Sequence, residues 1–381
     1  MSNGRDTVGT VEDLHASATR ITGLEDFGPD DHREGLAMLL ESYRREANLT
    51  PHGNKMKRTF LRGALTARLL SEQAWKQHPE HADVPIEQPI FVTGLPRTGT
   101  TALHRLLTAD PAHQGLEVWL TEVPQPRPPR DAWADDPVFR AIQEAYAQQH
   151  VERPEFMGLH YMSAEQVEEC WQLLRQSIRS VSYECLAHIP SYSSWLAGQD
   201  WTPAYRRHKR NLQLIGMPDR NRRWVLKNPS HLFALDALLE VYPDAIVIQT
   251  HRDPKTAMAS MCSLAAKATE GWSTTFQGRT LGTDQLDLWS RGLRKFNAAR
   301  DRHPGARFYD VHYDDFVAEP VGTVERIYEH FGLPLDDAAR SAMHELQQRS
   351  TTGVAKPAHR YSLADFGLSD EQVDERFAAL V

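Results

Sequence analysis

A short apolar run that stops at glycine limits the fold of this chain more than any other stretch. Ile90-Phe91-Val92 has the length and uniform apolarity of a strand buried on both faces. Gly94-Leu95-Pro96-Arg97-Thr98-Gly99-Thr100-Thr101 follows, then Leu103, Leu106 and Leu107 at helical spacing. Strand, glycine turn and helix in that order form the unit of a parallel sheet covered by helices. The two glycines stand in the G-x-x-x-x-G spacing of a nucleotide phosphate loop. Main-chain N–H groups after such a turn, and the positive end of the helix, can cradle an anion. The hydroxyls of Thr98, Thr100 and Thr101 add donors. A loop built for Mg-ATP carries lysine directly after the second glycine. Here that place is Thr100, and the cation is Arg97, ahead of the glycine. The loop suits an anion without the arrangement of a magnesium-dependent triphosphatase.

The same rhythm returns further on. Trp224-Val225-Leu226, Ala245-Ile246-Val247-Ile248 and Arg307-Phe308-Tyr309 predict strands. Helices are expected over 230–241, from about Lys255, over 284–301, and over 320–332 with Val324, Ile327, Tyr328 and Phe331 on one face. The expected fold is α/β: a P-loop-like, three-layer arrangement around a central parallel sheet. Residues 11–73 have a helical pattern, and 161–217 look helical with breaks near Pro190 and Pro203. Prolines 124, 126, 128, 129 and 137 mark a long surface connection. The expected organisation is one domain over 1–381. It has a helical segment over 1–88, an α/β core over 89–370, and a helical insert over about 150–217 that shapes an acceptor pocket. Ligands in such sheets bind at the carboxyl ends of the strands, where the polar residues of this sequence gather.

Composition closes off other classes. The chain has 381 residues, 40% hydrophobic and 25% charged, with a net charge of −8. An acidic balance argues against nucleic acid as a partner. The polar N-terminus has no apolar signal core, and no stretch approaches the roughly 20 apolar residues of a membrane span, so a cytoplasmic location is expected. The three cysteines, Cys170, Cys185 and Cys262, are odd in number and form no C-x-x-C pair, which predicts reduced thiols. Histidines 104, 113, 160 and 231 have no metalloprotease spacing, and no metal is expected. No Gly-x-Ser-x-Gly elbow is present.

Pro96-Arg97-Thr98-Gly99-Thr100-Thr101 resembles the 5′-phosphosulfate loop of sulfotransferases that use 3′-phosphoadenosine 5′-phosphosulfate (PAPS). The pattern there is P-[KR]-[ST]-G-[ST]-[ST]. Arg252-Asp253-Pro254, with Ser260 eight residues after the arginine, is similar to that family's 3′-phosphate motif. Tyr313-Asp314-Asp315 resembles the segment whose tyrosine lies against adenine. The tail from Gly353 to Tyr361 resembles a basic flap over the 3′-phosphate, with Lys356, His359 and Arg360 as candidates. The resemblance spans roughly residues 89–370. It implies transfer of a sulfuryl group from PAPS to a hydroxyl of a small acceptor, leaving 3′,5′-ADP. By it, Arg97 would hold the leaving phosphate and Thr98, Gly99, Thr100 and Thr101 the rest of the 5′ group. Arg252 and Ser260 would hold the 3′-phosphate.

The attacking hydroxyl needs a base within hydrogen-bond reach. Glu117, just after the loop helix, resembles in position the catalytic glutamate of tyrosylprotein and some bacterial sulfotransferases. His231, in Lys227-Asn228-Pro229-Ser230-His231, resembles the histidine of a K-T-H element but at longer spacing. Glu117 is the favoured base, with His231 orienting the acceptor or replacing it, and Lys227 steadying the sulfuryl group. His160, Glu168 and Glu169 are candidates to line the acceptor pocket. The competing readings are a P-loop kinase or NTPase, and a module that holds a nucleotide without turnover.

Overall fold

The computed structural model describes residues 7–152, 162–351 and 361–380. The apolar runs form strands β1 (Ile90–Gly94), β3 (Arg223–Lys227), β4 (Ile246–His251) and β5 (Arg307–His312); the short β2 is His113–Gln114. All are parallel in one sheet, ordered β2-β3-β1-β4-β5. β1 lies between β3 and β4 and is buried throughout, so both of its faces can be apolar.

The pleat divides the core in two. Ile90, Val92, Val225, Ile246 and Ile248 face one side and pack with Leu103, Leu107, Val324 and Ile327. Phe91, Leu226 and Val247 face the other and pack with Tyr205, Leu238 and Phe296. Helices Thr100–Thr108 and Pro320–Phe331 form one outer layer, and Thr202–Ile215, Leu235–Val241 and Gly278–Arg302 the other. After β1 the chain runs to the β2 edge and returns through β3, then crosses to β4 on the opposite side. The order reverses at β1, so a crevice opens beyond its carboxyl end, where the phosphate loop starts.

The amino-terminal pattern resolves into helices Val11–Thr22, Arg33–Arg45 and Pro51–Gln77. The last is capped by the Thr50 hydroxyl, which accepts from the Gly53 amide. Arg207 joins it to the helix Thr202–Ile215 through Glu72 (2.7 Å).

The insert departs from expectation. Helix formation starts earlier, at Pro137–Glu152, and much of 162–189 is irregular. Trp171–Leu174 and two 3-10 turns are its only helical pieces among the described residues. Residues 164–168 instead lie antiparallel along 116–119: the amides of Val118, Trp119 and Glu168 donate to Gln166, Ala164 and Leu116. Pairing with a neighbouring segment satisfies the backbone there and overrides the helical pattern. No helix among the described residues is long and apolar enough to cross a membrane.

Candidate functional site

The phosphate loop has little freedom. Gly94 has φ +146°, and a Cβ there would come within 2.6 Å of the Thr250 carbonyl oxygen. Only glycine lets β1 and β4 end so close together. The Thr98 hydroxyl donates to the Leu95 carbonyl (2.6 Å) and meets the Thr250 hydroxyl (2.6 Å), so it closes the loop from inside. Gly99 (φ +90°) opens the helix Thr100–Thr108. Arg97 has φ +70°, uncommon for a side-chain-bearing residue.

Arg252 lies over this loop. Its Nη1 donates to the Arg97 carbonyl (2.9 Å), and its guanidinium sits 3.9 Å from the Tyr313 ring centre. Arg97 Nε donates to the Ser260 hydroxyl (3.0 Å). Arg97, Ser260, Arg252 and Tyr313, scattered over more than 200 residues of sequence, are therefore contiguous. Arg97, Thr100, Thr101, Arg252 and Tyr313 line a cleft of about 520 Å³, with Val317 and Leu346 supplying an apolar end. Cations and hydroxyls at one end and apolar surface with an aromatic ring toward the other suit a phosphorylated nucleoside.

A second cavity, of about 300 Å³, lies across the loop. Pro96 forms part of its wall, as its neighbour Arg97 does of the cleft. Its remaining wall is largely apolar, and among the described residues its one lining carboxylate is Glu169.

Lys227 joins the two. It ends β3 and is 1% exposed. Its Nζ donates to Thr101 Oγ1 (3.2 Å) on the cleft side and to Glu169 Oε1 (2.6 Å) on the pocket side. Glu168 lies at 4.0 Å. The Cys170 amide donates to the Lys227 carbonyl (3.0 Å), which fixes the 168–170 segment to the strand end.

Both residues expected to take the proton are occupied elsewhere. Glu117 receives Arg127 through Nε (3.1 Å) and Nη2 (3.0 Å). Arg127 also reaches Asp219, Gln114 and the Gly115 carbonyl (each 2.7 Å), so the group pins the proline-rich connection to the sheet edge. Burial pushes the Glu117 carboxyl up, and Arg127 pulls it part of the way back. His231 is fully buried under Phe91 and Tyr205, and its Nδ1 bonds the Tyr205 hydroxyl (2.6 Å). Burial, then the neighbouring His208, drives it well below the usual histidine range. Neither residue lines the cleft or the pocket. His160, Lys356, His359 and Arg360 lie outside the described residues.

Sequence reasoning did not single out Asn228, Phe60 or Trp289 of the pocket wall, or the Arg127 cluster. The adjacency of Asn228 to Lys227 was the one local signal. The others come from distant helices, and nothing in their own neighbourhoods marks them. The three cysteines are free, and burial pushes the Cys170 and Cys185 thiols up.

Fold and loop together define a P-loop-like α/β protein with a loop suited to an anion at the end of β1. Residues 89–337 match the model of the sulfotransferase family, and the chain belongs to that family. It is similar to the omega-hydroxy-beta-dihydromenaquinone-9 sulfotransferase Stf3 of Mycobacterium bovis, with 29% identity over 255 residues. That match covers 65% of this chain and 63% of the relative, so under two thirds of the relative's length is spanned. The crystal structure of sulfotransferase STF1 from Mycobacterium tuberculosis H37Rv is 62% identical, with a TM-score of 0.92 over 98% of this chain and 100% of that one. Sulfotransferase STF9 from Mycobacterium avium is 29% identical, with a TM-score of 0.87 over 97% and 95% of the two chains.

Proposed function

We propose that this protein transfers a sulfuryl group from PAPS to a hydroxyl of a small-molecule acceptor, with Glu169 as the general base. The observation that carries this reading is the Lys227 ammonium, which touches Thr101 of the anion cleft and Glu169 of the apolar pocket at once. A group moving from donor to acceptor has to pass such a junction. The Stf3 relative is named for a hydroxylated menaquinone derivative, which supports a small-molecule hydroxyl as acceptor.

The cleft suits PAPS by its own chemistry. The loop amides, Arg97, Thr100 and Thr101 would hold the 5′-phosphosulfate. Arg252 and Ser260 would hold the 3′-phosphate, and Tyr313 would lie against the base. Thr98 and Gly99 shape the loop rather than grip the ligand, since the Thr98 hydroxyl is already used inside it. Donor binding has to exchange the Arg97–Ser260 contact for contacts to phosphate. No metal takes part in the proposed step.

In the reaction the acceptor oxygen attacks sulfur in line with the bridging oxygen. The new S–O bond forms as the bond from sulfur to the 5′-phosphate oxygen breaks, and that electron pair stays on the phosphate. Arg97 and the loop amides stabilise the charge that gathers there. Lys227 turns from Glu169 to the sulfuryl oxygens, which frees the Glu169 carboxylate to accept the hydroxyl proton. The products are a sulfate ester, 3′,5′-ADP and protonated Glu169, which returns its proton to solvent through its exposed edge.

Two measurements test this. 3′,5′-ADP at a hundredfold its Kd should stabilise the protein by about 2.7 kcal/mol without Mg²⁺. Stabilisation by Mg-ATP alone would discard the donor assignment. Glu169→Gln should lower turnover by about 10²–10⁴-fold with 3′,5′-ADP affinity unchanged. Parent-like turnover would remove Glu169 as the base.

A further inference from the structure

We infer that the acceptor is an uncharged, largely apolar alcohol or phenol, and that Asn228 donates a hydrogen bond to its reacting oxygen. The inference rests on the sulfuryl-transfer reading and narrows it to one substrate class.

The pocket wall comes from several elements: Phe60 of the helix Pro51–Gln77, Trp171, Leu186, Met261 and Leu264 of the helix Pro254–Ala268, and Trp289 of the helix Gly278–Arg302. Aromatic and aliphatic side chains on opposed walls favour a ring or an alkyl chain. At about 300 Å³ the pocket is at the small end for ligand sites. No lysine or arginine lines it among the described residues. Lys57, behind Leu186, is already engaged: its Nζ donates to the Leu186 carbonyl (2.7 Å) and lies over the rings of Tyr43 and Trp272. Burial pushes its pKa down to about 7, toward the neutral form. An anionic acceptor would be stripped of water beside the Glu169 carboxylate, and the cation at that end, Lys227, is already bonded to it. A sugar would bring several hydroxyls to a wall with few partners, and the Ser182 hydroxyl is already bonded to Ser180 (2.8 Å).

Asn228 is the exception in this wall. It is 1% exposed and follows Lys227 directly. Its Oδ1 accepts from the Ser230 amide (3.0 Å) and caps the turn Pro229–Phe233. A backbone N–H can only donate, so this bond fixes which end of the amide is which. The Nδ2 is then left as a buried donor with no partner. Its main chain is held as well, by the Val92 carbonyl and the Thr93 hydroxyl. A rigid, unpaired donor beside the junction lysine, in the wall that also holds Glu169, is placed to receive an oxygen. Glu169 takes the proton from the hydroxyl, and Asn228 donates to a lone pair of the same oxygen. Together they orient that oxygen toward sulfur.

The test uses the full chain with PAPS and two phenols that differ in charge, methyl 4-hydroxybenzoate and 4-hydroxybenzoate, with glucose as a polar control. Initial rates are measured, and binding of each compound to the 3′,5′-ADP-loaded protein is followed by calorimetry. The ester should exceed the carboxylate by at least about 30-fold in kcat/KM, and glucose should not be a substrate. Asn228→Asp and Asn228→Ser each keep an oxygen for the cap and remove the amide donor. Both should raise the ester's KM or lower kcat by at least about tenfold, while the KM for PAPS stays level. Equal or better use of 4-hydroxybenzoate or glucose would overturn the substrate class, as would absence of ester binding at millimolar concentration. Parent-like kinetics in both Asn228 variants would overturn the residue's role. Failure of 3′,5′-ADP to bind at all would instead bring down the donor reading beneath it.

Discussion

Lys227→Met separates positioning from folding at the junction of the two cavities. Methionine approximates the lysine stem and removes only the ammonium. In the folded protein that leaves Glu169 without its 2.6 Å partner, but the Glu169 side chain keeps 22% of its exposure and can recruit water. Breaking a fully buried pair costs about 3–5 kcal/mol. Glu169 is partly solvated and the substitution also relieves the desolvation of the ammonium, but the buried Glu168 loses its cation at 4.0 Å, so about 2–3 kcal/mol is expected. For a chain of this size that lowers Tm by no more than a few degrees. The effect on catalysis is larger. Removing one group aimed at transition-state charge costs about 10²–10³ in kcat, or about 3–4 kcal/mol. Binding of 3′,5′-ADP, which lacks the sulfuryl group, should weaken by less than about threefold. The assay is steady-state sulfation in parallel with calorimetric binding of 3′,5′-ADP. A kcat within about fivefold of the parent refutes the argument. So does a fall in 3′,5′-ADP affinity as large as the fall in kcat, since Lys227 would then be part of the phosphate site and not of the transfer step.

Glu117→Gln should keep turnover within about threefold and lower stability by about 1–2 kcal/mol, because Arg127 retains Asp219, Gln114 and the Gly115 carbonyl. A hundredfold loss of turnover in a folded variant would return the base to Glu117. Stability should also fall on acidification. Burial lowers His32, His104 and His208 from 6.5 to about 3. Above pH 6.5 these rings are neutral in both folded and unfolded chains. Below it the unfolded chain takes up protons that the folded one refuses, so stability is lost from pH 6.5 down toward 3. Each ring contributes about 1 kcal/mol of loss by pH 5.5. Thermal melts at pH 7.5, 6.5 and 5.5 check this, and a Tm that does not fall over that range contradicts it.

What could be read from the sequence follows from how local each signal is. The strand, loop and helix of residues 90–108 are contiguous, and both loop glycines take positive φ, +146° at Gly94 and +90° at Gly99. Arg252 and Ser260 lie eight residues apart across one strand–helix junction, so a local motif is enough to mark them as a pair. The order of the strands gives the rest: Arg97, Arg252 and Tyr313 meet because β1, β4 and β5 are neighbours and all end at the same edge. The carboxylate beside Lys227 had no such signal. Glu117 follows the short β2, and its carboxylate is turned to Arg127, a residue of the proline-rich connection that no periodicity ties to it. Glu169 lies in the insert, which the sequence marked as helical. That stretch is drawn flat along 116–119 by hydrogen bonds from a segment far earlier in the chain. The backbone around Glu117 pairs with the segment that brings Glu169 to Lys227. Local sequence marks which strand ends carry polar residues, and tertiary pairing decides which carboxylate meets Lys227.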